Sequence, residues 1–410
     1  MSASPSPTIL SPNILIEEER IPGYNPKNFY PVNPGDILNN RYRIVAKLGW
    51  GTTSTVWLAQ DPPQWWWNSN RYVTLKIAVS GFTDEDTAKH ERNISRSLET
   101  NPSHKGFNFV RIMLDSFEAI GPEGKHLCLV YEPMREPLWL FQQRLPDGKI
   151  PPPLLKVYLG FFLQALDYLH SECHVIHTDL KMDNILVGFE HPSVLEEYIK
   201  DGRSIYLSPN DFGPMKSFRV IPKIADFGSA QPGDSSEPLR FPIQPPLFHA
   251  PEVLLGTGWT YSADIWNLGV LIWNMMEGKD LFKHIRSSKG DYDARAHIAE
   301  MIALLGPPPK ELLDREKLWG DIKWDNAVLN SDSKLCHTAR EYFGGPFFNS
   351  EGEFMHKDLI PTDVSLEGSV YSLEGDDKQL FLNFVRKMLQ WLPEHRKTAK
   401  ELLEDPWLVL

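Results

Sequence analysis

The chain has 410 residues, and 54 acidic against 42 basic side chains leave it at −12 at neutral pH. That balance excludes a non-specific nucleic-acid binder, which needs a Lys/Arg surplus for phosphate contacts, and it favours a basic partner. Cys128, Cys173 and Cys336 lack any Cys-x-x-Cys spacing, no run approaches the ~18 apolar residues of a membrane span, and the start has no basic-then-apolar leader. Disulfide scaffolds, structural zinc, export and membrane insertion are therefore not expected.

Residues 1–39 are proline-rich, carry the acidic run Glu17-Glu18-Glu19 and show no apolar period, which predicts an extended tail with a solvated charge run. From Tyr42 short β-type runs begin: 42–48, 55–59 and 72–79, then 110–117 and 126–131 after a charged helix over 83–99. They predict a small antiparallel sheet. After Pro137 the pattern is helical, densest over 154–170, with further helices expected at 262–277, 293–305, 378–390 and 399–403. Trp65-Trp66-Trp67 is expected to pack on the sheet rather than to dock a partner, and Pro307-Pro308-Pro309 to stop a helix. His170, His174 and His177 have no cysteine or carboxylate cage and are not expected to bind metal.

Three motifs carry chemistry. Leu48-Gly49-Trp50-Gly51-Thr52-Thr53-Ser54-Thr55-Val56 places two glycines between strands, which lets a backbone hairpin lie close over phosphates; taken alone, an ordinary hairpin turn explains it as well. Lys76, about 25 residues on in an apolar strand, is placed as phosphate binding requires. In His177-Thr178-Asp179-Leu180-Lys181-Met182-Asp183-Asn184, between two apolar runs, Asp179 can accept a hydroxyl proton, Lys181 can neutralise a phosphoryl group and Asn184 can bind a divalent cation. Asp226 in Ala225-Asp226-Phe227-Gly228 ends a short apolar strand and offers hard oxygens suited to magnesium. A second Asp211-Phe212-Gly213, flanked by prolines without a preceding strand, reads as a coincidence inside an insertion near 188–219.

In that order the motifs resemble a eukaryotic protein kinase over residues 41–408. The resemblance implies an α+β fold of two lobes, a small antiparallel-sheet lobe (40–134) after the tail (1–39) and a larger helical lobe (135–410), with ATP between them. It implies ATP contacts from Leu48, Gly49, Trp50, Gly51, Val56, Lys76, Glu132 and Met134, with Glu91 holding Lys76 and Tyr131 at the back of the pocket. It makes Asp179 the catalytic base beside Lys181, and Asn184 and Asp226 the Mg2+ ligands. Ala250-Pro251-Glu252 closes the activation segment, Asp264 braces the catalytic loop, and Arg396 partners Glu252. Residues 30–58 and His177-Thr178-Asp179 are similar to the SR-protein kinase group, especially its fungal-type members. That similarity implies a monomeric serine/threonine kinase acting on a basic Arg/Ser-rich protein, without direct nucleic-acid or membrane contact, in cytoplasm and/or nucleus. The helix over 292–305 would then be the docking element. Departures are Ser95, where an apolar residue is expected, Thr178 in place of an arginine, and 243–249, which lacks the arginines of relatives. A pseudokinase scaffold is the alternative from another class; the joint presence of Lys76, Glu91, Asp179, Asn184 and Asp226 speaks against it.

Overall fold

Alternating side chains pair the early runs into one sheet. In the computed structural model, which describes residues 15–62, 71–200, 212–235, 237–287 and 289–409, the strands are β1 (Ile37–Leu38), β2 (Tyr42–Gly51), β3 (Ser54–Asp61), β4 (Arg71–Ala78), β5 (Met113–Gly121) and β6 (Gly124–Tyr131). They are antiparallel in the order β1-β2-β3-β4-β6-β5. Ile44, Trp57, Val73, Leu75, Ile77 and Val130 bury one face. Lys76, between Leu75 and Ile77, therefore projects from the other. The Trp65–Trp67 run lies outside the described residues.

Eleven helices occur among the described residues, the first five being α1 (Phe82–Ser97), α2 (Leu138–Gln143), α3 (Pro152–Ser171), α4 (Pro192–Lys200) and α5 (Pro251–Leu254). They continue with α6 (Ser262–Glu277), α7 (Ala294–Leu305), α8 (Lys310–Trp319), α9 (Ala339–Phe343), α10 (Gly375–Arg386) and α11 (Ala399–Leu402). Two compact units result. The sheet unit comprises the described residues of Met1–Glu99, Arg111–Glu136 and Leu186–Ile221; the helical unit comprises those of Thr100–Val110, Pro137–Ile185 and Pro222–Leu410.

One expectation is corrected. Glu17 and Glu18 are not a solvated run: both are buried at a single 3₁₀ turn, and their carboxylates converge on Lys47 Nζ, which sits 2.6 Å from Glu18 Oε2. Opposite charge offsets the desolvation of all three groups. Backbone bonds from Ser80 N–H to the Asn28 carbonyl (2.7 Å) and from Gly35 N–H to the Ile44 carbonyl (2.9 Å) hold the segment against the sheet, a pairing that aperiodic sequence does not announce. The expected docking helix, α7, buries Ala294, Ala296 to Met301 and with them Glu300, whose carboxylate takes the His284 N–H at 3.0 Å. Arg295, 48% exposed, pairs at 2.8 Å with Asp293, the N-cap of this helix.

In the helical unit α6 has 14 of its 16 residues buried, so it is a core helix and its polar members need partners. Asp264 finds them in the backbone N–H groups of His177 and Thr178, described below. Glu277 accepts the N–H groups of Tyr371 and Ser372, both at 2.9 Å. Glu252 and Arg396 meet as a fork at 2.6 Å through both oxygens, neither side chain exposed, with the guanidinium over the Trp266 ring.

Candidate active site

In the sheet unit, β2 and β3 form the hairpin that carries the glycine turn, Gly49 opposite Val56 and Gly51 opposite Ser54. A Cβ added at either glycine meets nothing within 4 Å. Protein packing therefore does not require glycine here, and the space beside the turn is open. Lys76 Nζ lies 2.8 Å from each carboxylate oxygen of Glu91 on α1. Tyr131 OH donates to the same carboxylate at 3.3 Å, and buried Ser95 faces that phenol at 3.5 Å. A serine in place of an apolar residue is explained: its hydroxyl accompanies a buried phenol, whose pKa burial first, and the Glu91 charge second, push up so that it stays a donor. Glu132 and Met134 follow β6 directly, and the Glu132 carbonyl accepts Arg111 Nη2 at 2.9 Å.

In the helical unit the polar cluster closes on itself. Lys181 Nζ reaches Asp179 Oδ2 and Oδ1 at 2.9 and 3.1 Å, and Asn184 Nδ2 donates to Asp179 Oδ2 (2.7 Å) and to its backbone carbonyl (2.9 Å). Ala225 N–H donates to the Asn184 carbonyl at 2.8 Å, which sets Asp226 beside that residue. Thr178 and Asp226 both hold left-handed backbones, φ 65° and 64°. Such conformations cost of order 1 kcal/mol and survive only where neighbours fix them. At Thr178 the neighbours are Asp264, whose oxygens accept the N–H groups of His177 (2.8 Å) and Thr178 (2.9 Å), and the Ser229 carbonyl, which accepts Thr178 Oγ1 at 2.8 Å. His170 Nε2 contacts Asp264 Oδ2 at 2.9 Å, so that histidine is a brace for the carboxylate. Burial alone would raise the Asp264 pKa, but the His170 bond and charge and the His177 N–H outweigh it and hold the carboxyl below its usual value.

The protein kinase domain family matches residues 42–408. The chain belongs to that family. It is 38% identical over 403 residues to a serine/threonine protein kinase of Aspergillus fumigatus, covering 98% of this chain and 93% of the relative. It is 32% identical to the Physarum polycephalum serine/threonine-protein kinase SRPK, covering 96% of this chain and 91% of that one. Protein kinase dsk1 of Schizosaccharomyces pombe is 26% identical, with 96% and 86% covered. A solved kinase domain superposes with a TM-score of 0.68 over 94% of this chain and all of its own at 23% identity, which shows the fold alone. The protein is a serine/threonine kinase with the kinase fold.

The kinase has a depression of about 450 Å³ beside Asp179 and Lys181, walled by Phe241, Ile243, Pro245 and Tyr342. Sequence reading did not find its organiser. Gln244, at φ 73°, spends its whole side-chain amide inward: Oε1 accepts Ala250 N–H at 2.8 Å, and Nε2 donates to the Ala263 carbonyl (3.1 Å) and Asn267 Oδ1 (2.9 Å). His249, also on the wall, is buried and its Nδ1 lies 3.0 Å from the Ile243 carbonyl. Burial pushes its pKa down to about 4 despite that bond, so it is neutral in the working range. No helix among the described residues is long and apolar enough to cross a membrane.

Proposed function

We propose that this kinase transfers the γ-phosphoryl group of ATP to serine hydroxyls in arginine-rich protein segments, with Asp179 as general base. The observation that carries the reading is the Asp179–Lys181–Asn184 cluster. An ionised carboxylate offers about four acceptor sites, and three are taken by Lys181 and Asn184. The remaining site on Oδ1 is the one a substrate hydroxyl meets, while the third ammonium proton of Lys181 faces the transferring oxygens. Leu48, Gly49, Trp50, Gly51, Val56, Glu132 and Met134 contact the nucleotide, and Lys76, oriented by Glu91, contacts its phosphates.

The donor chemistry fits a magnesium ion. Asp226 supplies carboxylate oxygens, and because Asn184 Nδ2 donates to Asp179, its Oδ1 is the atom left for a cation. Mg2+ held there neutralises phosphate charge. The residues do the rest: the left-handed turn at Asp226 aims its carboxylate, and the Ala225–Asn184 backbone bond keeps the two ligands on adjacent strands of chain.

The substrate class is supported by the SRPK-type relatives and by the −12 charge, which favours a cationic chain. Since Glu300 of α7 is buried, attraction is assigned to the distributed charge of the surface. Splicing-factor-like Arg/Ser proteins, and through them mRNA processing in cytoplasm or nucleus, are the setting this reading implies, with the monomer as the working unit. The test is a radiolabelled-ATP assay with magnesium, an Arg/Ser repeat peptide and a generic basic protein. Asp179→Ala is expected to bind ATP normally and to lose transfer by ~10² to 10⁴. The Arg/Ser peptide should be preferred, with KM rising as salt screens the surface. Transfer by Asp179→Ala at the wild-type rate refutes the base; equal use of both substrates refutes the substrate class.

A further inference from the structure

The segment between Leu186 and Ile221 holds the second Asp-Phe-Gly, and no step of the phosphotransfer uses it. Its Phe212 is buried, with the ring perpendicular to Phe189 at 5.0 Å and tilted on Tyr198 at 4.7 Å. Val194 and Leu195 of α4 and Phe212 share one buried cluster with Leu48 and Leu58, and Val56 packs against it. Leu48 and Val56 are the residues that flank the glycine turn on either strand. The phenylalanine of the motif is thus a packing residue, while Asp211 lies outside the described residues.

A polar clasp sits beside this cluster. Arg135 follows Glu132–Met134 in sequence, and its side chain is fully buried, a costly position for a cation unless partners surround it. Nη2 donates to the Gly213 carbonyl at 2.6 Å, Nη1 lies 3.2 Å from a Glu190 oxygen, and the guanidinium stands over the Phe212 ring at 6.0 Å. Glu190 also accepts the Lys216 N–H at 3.2 Å. Arg135 N–H donates to the Val187 carbonyl and Gly188 N–H to the Ile221 carbonyl, each at 2.9 Å, so both ends of the insertion are pinned.

We propose that Phe212 and the Arg135–Glu190 pair are positioning residues for the nucleotide: the insertion braces Leu48, Val56 and residues 132–135 from within the sheet unit, and so sets ATP affinity. This rests on the reading of those residues as nucleotide contacts. The physical reason lies in β2, whose register shifts between Lys47 and Gly49 just before two glycines. Leu48 is the residue skipped between paired Lys47 and Gly49, so the ladder does not fix it directly. A brace that orders it beforehand removes the ordering cost from binding and leaves the chemical step to the helical unit.

The experiment uses the full chain with Phe212→Ala, Phe212→Leu, Glu190→Gln and Asp211→Asn. It reads the Kd of a fluorescent ADP analogue, KM for ATP, KM for peptide, kcat and the melting temperature. Phe212→Ala is expected to weaken ADP and raise KM for ATP about tenfold, with kcat and peptide KM within about twofold. Leucine should restore most of the loss, Glu190→Gln should move affinity in the same direction, and Asp211→Asn should change nothing. Folded Phe212→Ala and Glu190→Gln proteins with wild-type ADP affinity overturn the brace, as does a loss confined to kcat. If Phe212→Ala does not fold, Phe212→Leu and Glu190→Gln decide by the same criterion. Wild-type protein that binds no ADP overturns the nucleotide reading itself, a result distinct from equal binding by wild type and variants.

Discussion

Asp264→Asn tests whether a residue that touches no substrate governs the geometry of transfer. The fully buried carboxylate accepts His177 N–H through Oδ2 and Thr178 N–H through Oδ1 at 2.8 and 2.9 Å, with His170 Nε2 on Oδ2 at 2.9 Å. An amide keeps one oxygen and turns an NH2 toward the other backbone N–H. The change forfeits one charge-assisted bond, about 1.5 to 3 kcal/mol, and leaves a buried donor unmet, about 1 to 3 kcal/mol more. Together these predict a loss of about 2.5 to 6 kcal/mol, read as a lower urea midpoint at constant slope. Because the same two N–H groups fix the loop that aims Asp179, a displacement of the order of 1 Å predicts a fall in kcat of about 10² with KM for ATP nearly unchanged. Both effects come from one pair of bonds and must appear together. A variant with the wild-type midpoint and the wild-type kcat refutes the brace, and a stability loss with intact kcat refutes its link to Asp179.

Two further outcomes follow from the wall of the depression and from the catalytic loop. His249 is pushed down to about 4 by burial, and His297, packed with Tyr292 nearby, lies well below its usual value for the same first reason. Below about pH 6.5 the unfolded chain takes a proton that folded His249 refuses, so stability is full above that pH and falls as pH drops toward 4, by about 3 kcal/mol. Urea midpoints from pH 7 to 4.5 should show that slope, flatter in His249→Gln; equal slopes would sink the assignment. Thr178 stands where many kinases carry an arginine for a phosphorylated activation loop, and its hydroxyl is already bonded to Ser229. Enzyme treated with phosphatase is therefore expected to keep its activity, and inert enzyme that an upstream kinase revives would contradict this.

Much of the site was legible because kinase chemistry packs its groups into short stretches of sequence. Asp179, Lys181 and Asn184 lie within six residues, and an apolar run on either side suffices to hold them in one loop. Lys76 and Glu91 were legible by family resemblance, and the 2.8 Å contacts agree with it. Long, strongly periodic helices such as α6 also declared themselves. What stayed hidden depends on partners distant in sequence. Arg135 reads as one more charge in a polar stretch until Glu190 and Gly213 close around it, 55 and 78 residues on. Glu17 and Glu18 read as solvated because only the fold brings Lys47, about 30 residues later, to them. Ser95 looked misplaced for the same reason, since its companion Tyr131 is 36 residues away.

The distribution of buried charge explains why so much of this kinase is invisible to local pattern. Asp179, Lys181 and Asp226 are at least partly exposed, as the groups proposed to meet substrate have to be. Of the charges most fully withdrawn from water among the described residues, Asp264, Glu252 with Arg396, and Arg135 with Glu136 and Glu190 are assigned no chemistry. A buried ion pair adds little net stability compared with well-packed apolar residues, so stability is a poor reason for three such sites. Each sits where an irregular segment must be aimed: the catalytic loop, the turn into α5, and the stretch after β6 that leads past Met134. A forked guanidinium or a two-oxygen carboxylate fixes direction as well as distance, which an apolar contact does not. The cost of desolvation there secures orientation of loops whose own backbones, left-handed at Thr178 and Asp226, would otherwise relax.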